Sequence, residues 1–111
     1  MKKYFIVAGE PSGDLHGSKL IKAIKDLNPN SSFMGHGGDN MHNEGMHIIE
    51  HVDSLAIMGF AEVLRHLPRM NKIMKNTVGA IERSKPDSVI LIDYPGFNLR
   101  LAKRLSPLKI S

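Results

Sequence analysis

Two places in this sequence carry residue types that could do chemistry on a hydroxyl group. The first is the bend AGEPSGDLHG, residues 8–17, which combines Gly9, Gly13 and Gly17 with Ser12 and the acids Glu10 and Asp14. The second is Asp93, which closes the aliphatic run VILI, residues 89–92, and opens YPGFN, with Asn98 at its end. An aspartate directly after a buried strand is partly desolvated, which raises its pKa toward the working range of a general base. The same carboxylate has a plainer use, hydrogen bonding to the backbone of the turn that follows. Asn98 has two readings in the same way, as a ligand-binding amide or as a helix N-cap.

The glycine bend matches no nucleotide-binding pattern. No Lys-Ser or Lys-Thr pair closes it, and Gly9 and Gly13 lack the Gly-x-Gly start of a dinucleotide fingerprint. Amides at the start of a helix attract anions, but Glu10 and Asp14 place carboxylates at that spot. Sugar hydroxyls suit those charges better: the carboxylates of Glu10 and Asp14 and the hydroxyl of Ser12 can exchange hydrogen bonds with them, while Gly9 and Gly13 let a substrate approach the backbone. Capping of the following helix by Ser12 or Asp14 is the alternative, and it is compatible with the first. His36, His42, His47 and His51 lie near one another in sequence. On one strand His47 and His51 would stand about 13 Å apart, and no HExxH spacing occurs, so neither a metal nor another cofactor is expected.

The elements that must position these residues follow from periodicity. KYFIVA, residues 3–8, reads as a strand, and Leu20, Ile21, Ile24 and Leu27 recur at helical spacing behind the bend. SSFMGHG reads as a second extended piece with a glycine turn at Gly35, Gly37 and Gly38, GDNMHNEG as about two helical turns, and MHIIE as a third strand. Met70, Ile73, Met74, Thr77, Val78 and Ile81 form a helical stripe that stops at Ser84–Pro86. SVILID has the pattern of a parallel strand buried on both faces, YPGFN that of a turn, and Leu99, Leu101, Ala102 and Leu105 suggest a last helix. Alternating strands and helices predict an α/β fold, a Rossmann-like doubly wound parallel sheet whose ligands gather at the carboxyl ends of its strands. The final LKIS reads as the entrance to a further strand, so residues 1–111 are expected to be an incomplete domain.

Composition narrows the partners. The chain has 111 residues, no cysteine or tryptophan, and a formal net charge of +4. That charge favours anionic partners, and the scarcity of aromatics argues against a reader of single-stranded nucleic acid. From Ser54 to Ile81 the bases Arg65, Arg69, Lys72 and Lys75 stand against one acid, Glu62. Residues 55–74 read either as two core helices with a solvated basic face, or as an interfacial segment. In the second reading Met58, Phe60, Val63, Leu64 and Leu67 enter a lipid surface, with Arg65 and Arg69 at anionic headgroups.

AGEPSGDLHG, GGDNM, MGFAEVLRHLP and IDYPGFN, in that order, resemble the lipid-A-disaccharide synthase family. The resemblance covers the whole chain and about the first third of the family's length. It implies the N-terminal, acceptor-side Rossmann-like domain of a glycosyltransferase-B architecture, with the donor-binding domain absent. It also implies an inverting, metal-free transfer from UDP-2,3-diacylglucosamine to the 6-hydroxyl of 2,3-diacylglucosamine 1-phosphate. Asp93 would be the general base, and Gly9, Ser12, Gly13, Asp14 and Asn98 would line the cleft. The apolar segment would meet the cytoplasmic face of a Gram-negative inner membrane, making the protein peripheral. Two alternatives remain beside this: a non-catalytic remnant that binds lipid or an anionic membrane through residues 55–74, and a small flavodoxin-like nucleotide module, against which the missing phosphate loop counts.

Overall fold

The computed structural model describes residues 2–52, 67–92 and 95–106. In chain order these form β1 (Lys3–Ala8), α1 (Pro11–Leu27), β2 (Ser32–Gly37), α2 (Asp39–Asn43), β3 (His47–His51), α3 (Leu67–Ser84), β4 (Ser88–Ile92) and α4 (Pro95–Leu105). The four strands make one parallel sheet in the order β3-β2-β1-β4. This is the expected Rossmann-like α/β architecture.

Strand alternation divides the core into two layers. Ile6 and Ala8 of β1 pack with Phe33 of β2, Ile21 of α1 and Met41 of α2. Phe5 and Val7, pointing the other way, pack with Ile73, Met74, Ala80 and Ile81 of α3 and with Leu101 and Leu105 of α4. So α1 and α2 cover one face of the sheet and α3 and α4 the other. The starts of β1 and β4 are tied by paired bonds: Lys3 N–H donates to the Asp87 carboxylate, and Asp87 N–H to the Lys3 carbonyl, both at 2.8 Å.

Several local expectations change. The bend after β1 is shorter than expected, because Pro11 begins α1 with its φ preset and no amide proton to place. Gly13, Asp14 and Gly17 are therefore helical. Gly35 and Gly37 belong to β2 rather than to a turn, and Gly35 has φ +145°, where an added methyl would collide with the Ile6 carbonyl oxygen. Immediately after Gly35 the ladder shifts: Gly35 pairs with Ile48 but His36 with Glu50. Ile49 packs on the α3 side and Ile48 on the α1–α2 side, the ordinary alternation of a strand.

In α3, Ile73, Met74, Thr77 and Ile81 are buried as the stripe predicts. The helix ends with Lys85 at φ 50°, its N–H 3.0 Å from the Ile81 carbonyl, and Pro86 prevents continuation. YPGFN is not a turn throughout: α4 begins at Pro95. Its buried side is Asn98, Leu101 and Leu105, whereas Leu99 is 66% exposed and Ala102 faces solvent. β4 is half-buried along its length, not enclosed, because it is an edge strand among the described residues.

The two helical layers also differ in charge. The α3–α4 layer exposes Lys72, Lys75, Arg83, Arg100, Lys103 and Arg104 against the helical acid Glu82. The α1–α2 layer sets Lys19, Lys22 and Lys25 against Glu10, Asp26, Asp39 and Glu44. The basic excess thus extends past Ile81 into α4.

Candidate functional site

From β1 the chain winds toward β2 and β3 through α1 and α2; it then returns to the opposite side of β1 through α3 and β4. The winding reverses between β1 and β4, and in such sheets the carboxyl ends of the two strands part to leave a crevice for ligand. Ala8 and Ile92 are register partners at that end. Gly9 follows Ala8 and is buried. The first turn of α1 rests on both strands: a methyl at Gly13 would lie 3.2 Å from the Ala8 β-carbon and 3.5 Å from Ile92 Cγ2. Asp93 follows Ile92 in sequence and lies outside the described residues.

Asp14 is committed elsewhere. It is 5% exposed, and its carboxylate accepts hydrogen bonds from the backbone of a different helix. Gly38 N–H and Met41 N–H donate to Oδ1 at 2.7 and 3.0 Å, and Asn40 N–H donates to Oδ2 at 3.1 Å. These are the open amides at the start of α2, whose N-cap, Gly38, has no side chain to supply. The space is used as well, since a β-carbon at Gly38 would lie 2.7 Å from Asp14 Cγ. The expectation that Ser12 or Asp14 caps α1 is therefore corrected: the N-cap of α1 is Glu10, which makes no side-chain cap bond, and Asp14 caps α2 from a distance.

That leaves Glu10 as the exposed carboxylate of the glycine bend, beside exposed Ser12. Spacing alone does not separate the two acids of the bend; burial does, since Asp14 is enclosed and Glu10 is open to solvent. Asn98 lies in the first turn of α4, not at its N-cap; it is 7% exposed, and its Oδ1 has no hydrogen-bond partner. Of the apolar-basic set, Leu67 and Arg69 fall in the first turn of α3, whereas Met58, Phe60, Val63, Leu64 and Arg65 lie outside the described residues. No helix among the described residues is long and apolar enough to cross a membrane.

A second hollow, of about 270 Å³, is lined by Lys3, Tyr4, Ser32, Phe33, His47 and Pro86 among others. It sits where β1 and β2 begin, at the opposite end of the sheet from the glycine bend, and its lining holds no carboxylate.

A sequence profile described as lipid-A-disaccharide synthetase matches residues 4–111. A lipid-A-disaccharide synthase of Coxiella burnetii (strain Dugway 5J108-111) is 40% identical over 103 residues, which are 93% of this chain and 27% of that protein. Proteins of the same description from Glaesserella parasuis and Haemophilus influenzae are 47% and 44% identical over 100 residues, 90% of this chain and 26% of each relative. The chain thus spans about a quarter of the length of these curated relatives.

Proposed function

This chain belongs to the lipid-A-disaccharide synthetase family, and from that premise we propose that it forms the acceptor side of an inverting glycosyltransferase of lipid A biosynthesis. The donor is UDP-2,3-diacylglucosamine and the acceptor 2,3-diacylglucosamine 1-phosphate. Asp93 removes the proton of the acceptor 6-hydroxyl as that oxygen attacks the anomeric carbon of the donor from the face opposite the diphosphate. The bond from that carbon to the diphosphate oxygen breaks, and UDP leaves with the electron pair. Inversion needs one base on the alcohol and charge stabilisation at the leaving group. In this reading the second is supplied by the remaining length that the relatives have.

The observation that carries the proposal is the pairing of Ala8 with Ile92, which brings the residues just before Gly9 and just before Asp93 to one end of two adjacent strands. The bend there is acidic rather than cationic, which suits a sugar acceptor better than a diphosphate. Gly9, Ser12 and Gly13 line the crevice with Glu10; Asn98 faces it from α4; Asp14 supports it. The segment holding Met58, Phe60, Val63, Leu64, Leu67, Arg65 and Arg69 rests on the cytoplasmic face of an anionic inner membrane, from which acylated substrates are drawn.

The experiment is a graft of this chain in place of the matching quarter of the Haemophilus influenzae relative, assayed for UDP release and disaccharide formation. The parent graft should turn over, and Asp93→Asn should lower kcat by at least about 100-fold with the fold unchanged. Full activity in Asp93→Asn would overturn the role of that residue, and a folded but inactive parent graft would overturn the functional reading.

A further inference from the structure

We propose that Asp14 is a positioning residue: by capping α2 it fixes the first turn of α1, and with it the Gly9–Gly13 bend, against the ends of β1 and β4. The inference rests on the glycosyltransferase reading only for its kinetic consequence. Its structural basis is independent of that reading.

Three observations combine. First, one buried carboxylate receives three amides from the loop after β2 and the first turn of α2. Hydrogen bonds to an ionised acceptor are the strong kind, and losing the carboxylate would leave buried amides without partners. Second, the fit is steric as well as polar, because Gly38 leaves no room for a side chain beside Asp14 Cγ. Third, Asp14 follows Gly13, which approaches both strands so closely that a β-carbon there would lie 3.2 Å from Ala8 Cβ and 3.5 Å from Ile92 Cγ2. The helix turn touching the crevice is therefore held on its other side by α2. α2 is anchored in turn by Met41 in the core and by Lys25 Nζ, which donates to the Glu44 carbonyl at 2.6 Å.

A bend anchored at only one end could drift relative to Ile92 and the residue after it. Displacement of a reacting group by about 1 Å can cost on the order of 100-fold in rate, so the cap should matter to turnover although Asp14 never meets substrate. Its charge, already consumed by amides, is not offered to the ligand.

The test uses Asp14→Asn and Gly38→Ala in the graft described above, each compared with the parent by amide hydrogen exchange and by steady-state kinetics. Asparagine keeps the shape but turns an N–H toward N–H donors; alanine at position 38 pushes on the carboxylate while leaving its charge intact. Both variants should speed exchange about 10-fold or more at Gly38, Asn40 and Met41, and also across α1 at Asp14, whose N–H donates to the Glu10 carbonyl at 3.0 Å, and at Leu15 and His16 of the same helix. Both should lower kcat per folded molecule about 10-fold while leaving KM for the UDP-sugar unchanged. Faster exchange confined to residues 38–41, or kcat per folded molecule equal to the parent, would overturn the proposal. The exchange arm decides the positioning claim even if the parent graft is inactive, an outcome that would count against the glycosyltransferase reading alone.

Discussion

Nε2 of His36, on β2, lies 2.9 Å from Oγ1 of Thr77, on α3. The threonine hydroxyl donates its single proton to the Ile73 carbonyl at 2.7 Å, so toward the imidazole it accepts. Nε2 must then carry a proton, which fixes the neutral ring as the Nε2–H tautomer. His36 is 1% exposed, and burial lowers its pKa from 6.5 to about 4.

Stability should consequently fall on acidification within a defined window. The unfolded chain takes up this proton near pH 6.5 and the folded chain only near 4, so the contribution is complete above 6.5 and lost progressively as pH falls to about 4. That interval corresponds to roughly 3 kcal/mol. Urea midpoints measured between pH 7.5 and 4.5 should drop steeply for the parent and less for His36→Gln, whose amide still donates to Thr77. Parallel curves would assign the acid sensitivity to other groups.

Glycine replacements should rank by what the new methyl meets. At Gly35 it meets the Ile6 carbonyl with φ at +145°, and a backbone obstacle cannot rotate away. Gly35→Ala should cost about 3 kcal/mol or more and reduce soluble yield sharply. Gly13→Ala, facing the Ala8 β-carbon at 3.2 Å, should cost about 1 kcal/mol. Thermal melts of the two give the order directly, and a reversed order would contradict this account of β2.

The contact between Lys25 and Glu44 separates charge from hydrogen bonding. The Nζ–Oε1 pair is 3.1 Å apart, with side chains 37% and 32% exposed, so solvent screens it heavily. Glu44→Gln should change stability by about 0.5 kcal/mol at most and become neutral in high salt. Lys25→Met also removes the bond to the Glu44 carbonyl and should cost about 1 kcal/mol regardless of salt.

Lipid contact through residues 55–74 makes a separate expectation. The chain should sediment with vesicles containing anionic phospholipid, less so as salt rises, and weakly with neutral vesicles. Replacing Arg65 and Arg69 by Gln should remove about 1 kcal/mol of binding each. Met58→Ser with Phe60→Ser should weaken the part of the binding that survives salt. Equal binding to neutral and anionic vesicles would dismiss the headgroup role of the arginines.

The order of elements was legible because the hydrophobic periods of β1, α1, α3 and β4 are long and uninterrupted. The ends of elements were less so, because glycine has two uses that look alike in a sequence. Gly13 and Gly35 read as turn formers, yet both lie inside regular elements where a β-carbon would strike a neighbouring strand. The role of Asp14 was hidden for a related reason. Its partners, Gly38, Asn40 and Met41, are backbone amides 24 to 27 residues away, and an amide leaves no trace in residue type. Asn98 took the inward place that periodicity gave to Leu99, because α4 starts at Pro95 and its phase is set from there.

The unequal charge of the two helical layers gives the described part of the molecule an electric dipole directed across the sheet, with α3 and α4 at its positive end. Near a negatively charged plane such a body experiences a torque before it makes any contact. At an anionic surface it would arrive with the α3–α4 side leading, and the mouth between β1 and β4 would be brought to a consistent angle. Orientation is then selected during diffusion, at distances comparable to the Debye length, about 8 Å at physiological salt, and short-range packing has only to complete it.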